Sequence, residues 1–167
     1  PMMSFIGDLD KRLKKKKVPK PVQRFIEEHV RVGKRFLLFV PRITLLGPIE
    51  AALRGQFPNA KFETVSSKEL YRQERIAKMR AGELDFLVTT TILERGVTFP
   101  GVDACVVNAH EEEFSREVLV QIAGRVGRTV ECPTGEVMYF HNGKTKAMVQ
   151  AVREIENLNQ QALRGRE

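Results

Sequence analysis

The chain has 167 residues, 42% of them hydrophobic, which is enough for one domain with a real core. Its formal net charge of +7 favours a polyanionic partner. No apolar run approaches the roughly 18 residues of a membrane span and no signal peptide opens the chain, so a cytoplasmic protein is expected. Cys105 and Cys132 fit neither a disulfide framework nor a zinc cluster, and the opening Pro-Met-Met reads as a piece cut from a longer protein.

Residues 1–20 have the composition of a basic linker or tail. The stretch DKRLKKKKVPKP packs seven Lys or Arg into twelve residues, and like charges that dense repel and stay solvated. It suits either a floppy tail or a strap between domains that also touches phosphates. The folded domain is expected over 21–167. VQRFIEEHVRV carries a helical stripe at Val22, Phe25, Ile26 and Val30. RFLLFV is a continuous apolar run, the pattern of a strand buried on both faces. RITLLGPIEAALRGQF is helical at its end, with Pro48 suited to a first turn. AKFETV is the next strand. The helix KELYRQERIAKMRAGE follows, with Ser67 as its N-cap and Gly82 as its stop.

DFLVTT and VDACVVN are strands, REVLVQIAGRV is a helix, GEVMYFH a final strand and KTKAMVQAVREIENLNQQAL a long last helix. This alternation predicts an α/β fold, one parallel sheet with helices on both faces. Ligands of such sheets bind outside the carboxyl ends of the strands.

Two stretches there carry chemistry. In FLVTTTILERGVTFPGVD, from 86 to 103, a buried strand runs into three threonines, then Glu94-Arg95-Gly96 and a Phe-Pro-Gly loop. Threonine hydroxyls and free amides at a strand end suit phosphate oxygens, and a glycine lets backbone approach a ligand closely. In QIAGRVGR, from 121 to 128, the planar forks of Arg125 and Arg128 each follow a glycine, Gly124 and Gly127. A helix interior gives up roughly 0.5–1 kcal/mol per glycine relative to alanine, so bare backbone beside two fixed cations calls for a reason.

In this order and spacing the two stretches resemble motifs V and VI of superfamily-two nucleic-acid helicases. They are similar to the PriA-like replication-restart helicases, and closer to the ComFA-type late-competence ATPases of transformable bacteria. RFLLFVPRI and FETVSS then take the places of motifs IV and IVa. The resemblance implies a RecA-like fold, the second of two motor domains. It implies ATP and Mg²⁺ held mainly by a first, N-terminal RecA-like domain of the same protein, which carries the phosphate loop. Arg125 and Arg128 would be the arginine fingers. Gln121 and Gly124 would lie near the nucleotide, and Gly96 and Thr98 on its ribose side, although Thr98 stands where helicases commonly have Asp. Arg42, Ser66, Thr90 and Thr91 would face the backbone of single-stranded DNA.

The expected partners are therefore single-stranded DNA, the missing motor domain and other DNA-uptake proteins, with the chain at the inner face of the membrane only through partners. Asn142-Gly143-Lys144-Thr145 mimics a phosphate loop, but Met138 occupies the position of that pattern's first glycine, so a turn opening the last helix is expected. No Asp-Glu pair at a strand end offers a metal site, and the chain alone is expected not to hydrolyse ATP. Within the class, a PriA-like or other helicase fragment is the alternative. From another class, a non-hydrolysing RecA-like scaffold is opposed by the intact GRVGR, and a small-molecule transferase by the lack of a glycine-rich loop after the first strand.

Overall fold

The computed structural model describes residues 1–66, 70–90, 98–127 and 135–164. Six strands make one all-parallel sheet: β1 (Met2–Phe5), β2 (Phe36–Val40), β3 (Phe62–Val65), β4 (Phe86–Thr90), β6 (Asp103–Val107) and β8 (Val137–His141), in the order β1-β8-β6-β2-β4-β3. Among the described residues two further strands, β5 (Phe99–Pro100) and β7 (Val126–Gly127), form a separate two-stranded ladder. The helices are α1 (Leu9–Lys14), α2 (Lys20–Val32), α3 (Leu46–Gln56), α4 (Arg72–Arg80), α5 (Arg116–Arg125) and α6 (Lys146–Arg164), and a 3₁₀ turn (Ile43–Leu45) leads into α3.

The apolar run Phe36–Val40 is central and buried throughout, as its lack of alternation demands. Its side chains divide between two cores. Phe36, Leu38 and Val40 join Leu9, Val22, Ile26, Ile49 and Leu53 beneath α1, α2 and α3. Leu37 and Phe39 join Ile76, Met79, Leu119, Ile122 and Met148 beneath α4, α5 and α6. Across β3, β4 and β2, the register-matched rings of Phe62, Phe86 and Phe36 stack at 4.7 Å, and Phe25 of α2 stands edge-on to Phe36 at 5.1 Å. This aromatic row pins the amino ends of three strands to one helix, each pair adding about 0.5–1.5 kcal/mol beyond its buried area.

The first twenty residues fold rather than trail. Met2–Phe5 form the sheet's edge strand against β8, and Leu9, Leu13 and Val18 are buried in the core. The lysines are solvated as expected, yet their backbone is held. Lys15 and Lys17 donate to the Arg12 carbonyl and Lys16 to that of Leu13, with Lys16 itself at φ 56°. A non-glycine residue there costs on the order of 1 kcal/mol. The Val18 amide then donates to Gln56 Oε1 at 2.8 Å, fastening the turn to the end of α3.

Helix α4 opens at Arg72 after Tyr71, not at the expected Ser67, which lies outside the described residues. Gly82 terminates it with φ 79°, its N–H donating to the Met79 carbonyl. At the start of β6, Asp103 ties three elements together. Its Oδ2 lies 2.7 Å from Nε2 of His29 on α2, and its Oδ1 accepts from the Glu136 amide at 2.8 Å. The Nδ1–H of the same histidine donates to the Phe25 carbonyl, which fixes the ring.

Candidate nucleotide and nucleic-acid interface

The chain leaves β2 through α3 toward β3 and leaves β6 through α5 toward β8, so connections depart in opposite directions from two neighbouring strands. A crevice at such a point is the expected ligand site of a parallel sheet. Arg42, two residues beyond β2, is exposed there. Its Nε and Nη2 donate to the Glu111 carboxylate at 2.9 and 3.4 Å, and its Nη1 donates to Thr44 Oγ1 at 3.1 Å. Asn108, just past β6 and at φ 60°, donates from Nδ2 to the same carboxylate at 2.7 Å. The carboxylate holds the Arg42 guanidinium above its ordinary pKa, so the fork stays charged. Glu111 and Asn108 went unrecognised in the sequence. They meet Arg42 only because β2 and β6 are neighbours, a fact that no local pattern carries.

Ser66 and Thr90 sit at the carboxyl ends of the paired strands β3 and β4. They are 8% and 4% exposed, so among the described residues expected to face the DNA backbone Arg42 is the exposed one. Thr98, immediately before β5, is exposed. Thr91, Gly96 and Arg128 lie outside the described residues.

The two motif-bearing stretches do meet. Phe99 pairs with Val126 and Pro100 with Gly127 in a parallel ladder that begins where α5 ends. Buried Phe99 and Val126 anchor it in the core. Ser115 starts α5 by accepting the Val118 amide on its hydroxyl, and the helix carries Gln121 and Arg125, four residues apart, on one side at its end. Gln121 and Gly124 are exposed, whereas Arg125 is half-buried rather than fully open. Gly127 gives the ladder its backbone partner for Pro100. Gly124 has no such role among the described residues, where a Cβ at its position would meet nothing within 4 Å. Gly124→Ala should therefore raise stability by about 0.5 kcal/mol through helix propensity. If bare backbone at this position serves a ligand or a second domain, the same variant should impair turnover in the longer protein. Denaturant titration and steady-state ATPase assays read the two effects separately.

The Gly-Lys-Thr turn is no phosphate cradle. The amides of Asn142 and Gly143 donate to Nδ1 of His110 and of His141, each at 3.0 Å. Thr145 Oγ1 accepts the Met148 amide at 3.2 Å and so caps α6. Burial, then the charge of Lys144, then that of His110 push the His141 pKa below its ordinary value. The neutral ring thus contributes stability in full above the unfolded value near 6.5, and the contribution falls away as pH drops toward the folded value. Melting temperature should fall between pH 7.5 and 5.5 in the parent, and fall less in His141→Asn, by calorimetry.

The exposed, sterically open Gly124 beside Arg125 suits close approach to phosphate oxygens. No group of three or more His, Cys, Asp or Glu among the described residues could hold a metal ion, and no described helix is long and apolar enough to cross a membrane.

Residues 17–130 match the family described as "Helicase conserved C-terminal domain". The chain is 41% identical over 162 residues to "Competence protein ComFA" of Bacillus subtilis, covering 97% of this chain and 35% of that protein. It is 38% identical over 162 residues to the protein of the same name from Streptococcus pneumoniae, covering 97% and 38%. The chain thus spans little more than a third of the length of these curated relatives. The DEAD-box helicase domain 2 of Mss116p, solved bound to an RNA duplex, superposes with a TM-score of 0.62 at 18% identity, over 93% of this chain and 58% of that one. That likeness establishes the RecA-like helicase C-terminal fold.

Proposed function

We propose, from the premise that the chain belongs to the helicase conserved C-terminal domain family, that it is the second motor half of an ATP-driven single-stranded DNA translocase. Membership makes it a helicase-type motor domain and implies nucleic-acid and nucleotide use. The finer reading follows the two competence relatives: the protein pulls incoming single-stranded DNA during transformation. The observation that carries the motor role is the ladder of β5 with β7, which joins the strand-end loop to the Gly-Arg segment at the end of α5.

In this reading a first domain holds ATP and Mg²⁺, whose charge draws electron density from the phosphates. This chain contributes Arg125, at the end of α5, and Arg128, whose planar forks match the charge developing on the transferred phosphoryl group. Gly124 keeps the approach clear, while Gln121 and Thr98 border the nucleotide. Arg42 offers its guanidinium to the DNA backbone. The ladder lets movement at the nucleotide reach the strand-end loop, because Phe99 and Val126 are packed as one unit.

The test compares the chain with a longer natural protein that includes the first domain. The longer protein should hydrolyse ATP faster with single-stranded DNA, and residues 1–167 alone should not hydrolyse it. DNA-stimulated turnover by the isolated chain, or no DNA stimulation in the longer protein, would overturn the reading.

A further inference from the structure

The net charge of this chain is confined to one region. Residues 1–35 carry eleven Lys or Arg against four Asp or Glu, the entire +7, while residues 36–167 carry seventeen of each. Within that region the density peaks at Lys11, Arg12, Lys14, Lys15, Lys16 and Lys17, on α1 and the turn after it. Exposed Arg31, Arg42 and Arg54 have carboxylate partners in Glu28, Glu111 and Glu50, whereas exposed Arg24, Arg80 and Arg153 have none among the described residues. None of the six cations on α1 and its turn has an ion-pair partner among the described residues.

The turn that presents them is built. Buried Leu13 and Val18 bracket the four lysines, three backbone hydrogen bonds close the turn, and Gln56 holds its far end. Lys16 occupies a left-handed conformation in which glycine or asparagine would be less strained. A strained backbone position that nevertheless bears a cation, unpaired among its neighbours, is an arrangement that an external polyanion would stabilise.

We infer that this turn is a second nucleic-acid surface, separate from the strand ends that carry Arg42, and that it binds the phosphates of the single strand on which the motor acts. The inference rests on the proposed motor role. Arg42 lies before α3 and Gln56 ends it, so the turn held by Gln56 stands toward the far end of an 11-residue helix about 16 Å long. A strand leaving the crevice at Arg42 can run along α3 to reach the lysines. An anionic lipid surface fits less well. Interfacial anchoring adds exposed apolar side chains to the charge, and the apolar residues beside the turn, Leu9, Leu13, Val18 and Val22, are all buried.

The test uses a labelled oligodeoxythymidylate titrated with the chain over a range of salt. Replacing Lys14, Lys15 and Lys17 by Gln and Lys16 by Gly should lower the slope of log Kobs against log salt by about 3, since each single-strand phosphate contact contributes about 0.7. Lys16→Gly alone should raise the melting temperature yet weaken binding about two- to threefold at low salt, by the loss of one contact. Arg42→Ala is measured in parallel. If Arg42→Ala weakens binding while the lysine set leaves affinity and slope unchanged, this second surface is overturned and the motor reading stands. If the chain binds no oligonucleotide even at low salt, both fall. Loss of binding to phosphatidylserine vesicles in the lysine set, with DNA binding intact, also overturns it, in favour of a membrane contact.

Discussion

Replacing Arg125 or Arg128 by alanine, in a protein that carries both motor domains, is expected to lower kcat for ATP by about 10³-fold or more. A guanidinium that meets the phosphoryl group as charge develops stabilises the transition state far more than the ground state. The KM for ATP and the affinity for DNA should therefore change little beside kcat. The end of α5 can hold such a fork in place because Val126 and Gly127, directly after Arg125, are paired with Phe99 and Pro100. Lysine should rescue poorly at either position, since a point charge cannot reproduce the planar fork. Arg125 is half-buried, so its alanine variant also needs a stability measurement; a shift below about 1 kcal/mol leaves the kinetic reading clean. Turnover within threefold of the parent for both alanine variants would remove the main support for the finger assignment.

The largest effect on stability is expected at Asp103. Its side chain is 7% exposed and faces His29 and the Glu136 amide at 2.7 and 2.8 Å. Asp103→Ala leaves a buried imidazole nitrogen and a backbone N–H without their acceptor. The expected loss is about 3 kcal/mol, the low end for breaking a buried pair, or on the order of 10 °C in melting temperature for a domain of this size. His29→Ala should cost less, and the double variant should fall short of additivity, because the two residues share one interaction. Amide exchange at Glu136 and Val137 should quicken in Asp103→Ala before global unfolding. A loss below 1 kcal/mol in Asp103→Ala would show that the carboxylate is dispensable.

Much of this fold was legible because burial on both faces writes a continuous apolar run. Phe36–Val40, Phe86–Thr90 and Asp103–Val107 are all fully buried strands, and each stands out in the sequence. The first twenty residues were not legible. Leu9 and Leu13 make an i, i+4 pair that signals a helix face, but the lysines around them suggest solvent, and β1 is too short to show alternation. Its partner β8 lies at the other end of the chain. The Gly-Arg segment was readable since each glycine carries a conformational cost; what Gly124 and Gly127 do was not. One serves a ladder inside the domain and the other faces open space. The burial of Ser66 and Thr90 and the tie between Arg42 and Glu111 depend on strand order, which residue identities do not encode locally.

Strand order also sets a schedule. Among the described residues the edge strand Met2–Phe5 has a single neighbour, β8, and pairs Met2 with Met138. On the ribosome β1 emerges first among the described strands of this sheet, and its described partner β8 emerges last. The central pairs of β2 with β4 and β6 can form earlier, since those strands are closer in sequence and the loop-closure cost is smaller. Until synthesis reaches residue 141, β1 lacks its partner β8 beside the exposed side chains of Met2 and Phe5. In this interval the nascent chain is most prone to pair with another strand. The final closure of the sheet thus joins the first strand made to the last, and truncations that remove β8 should aggregate even though the central strands are complete.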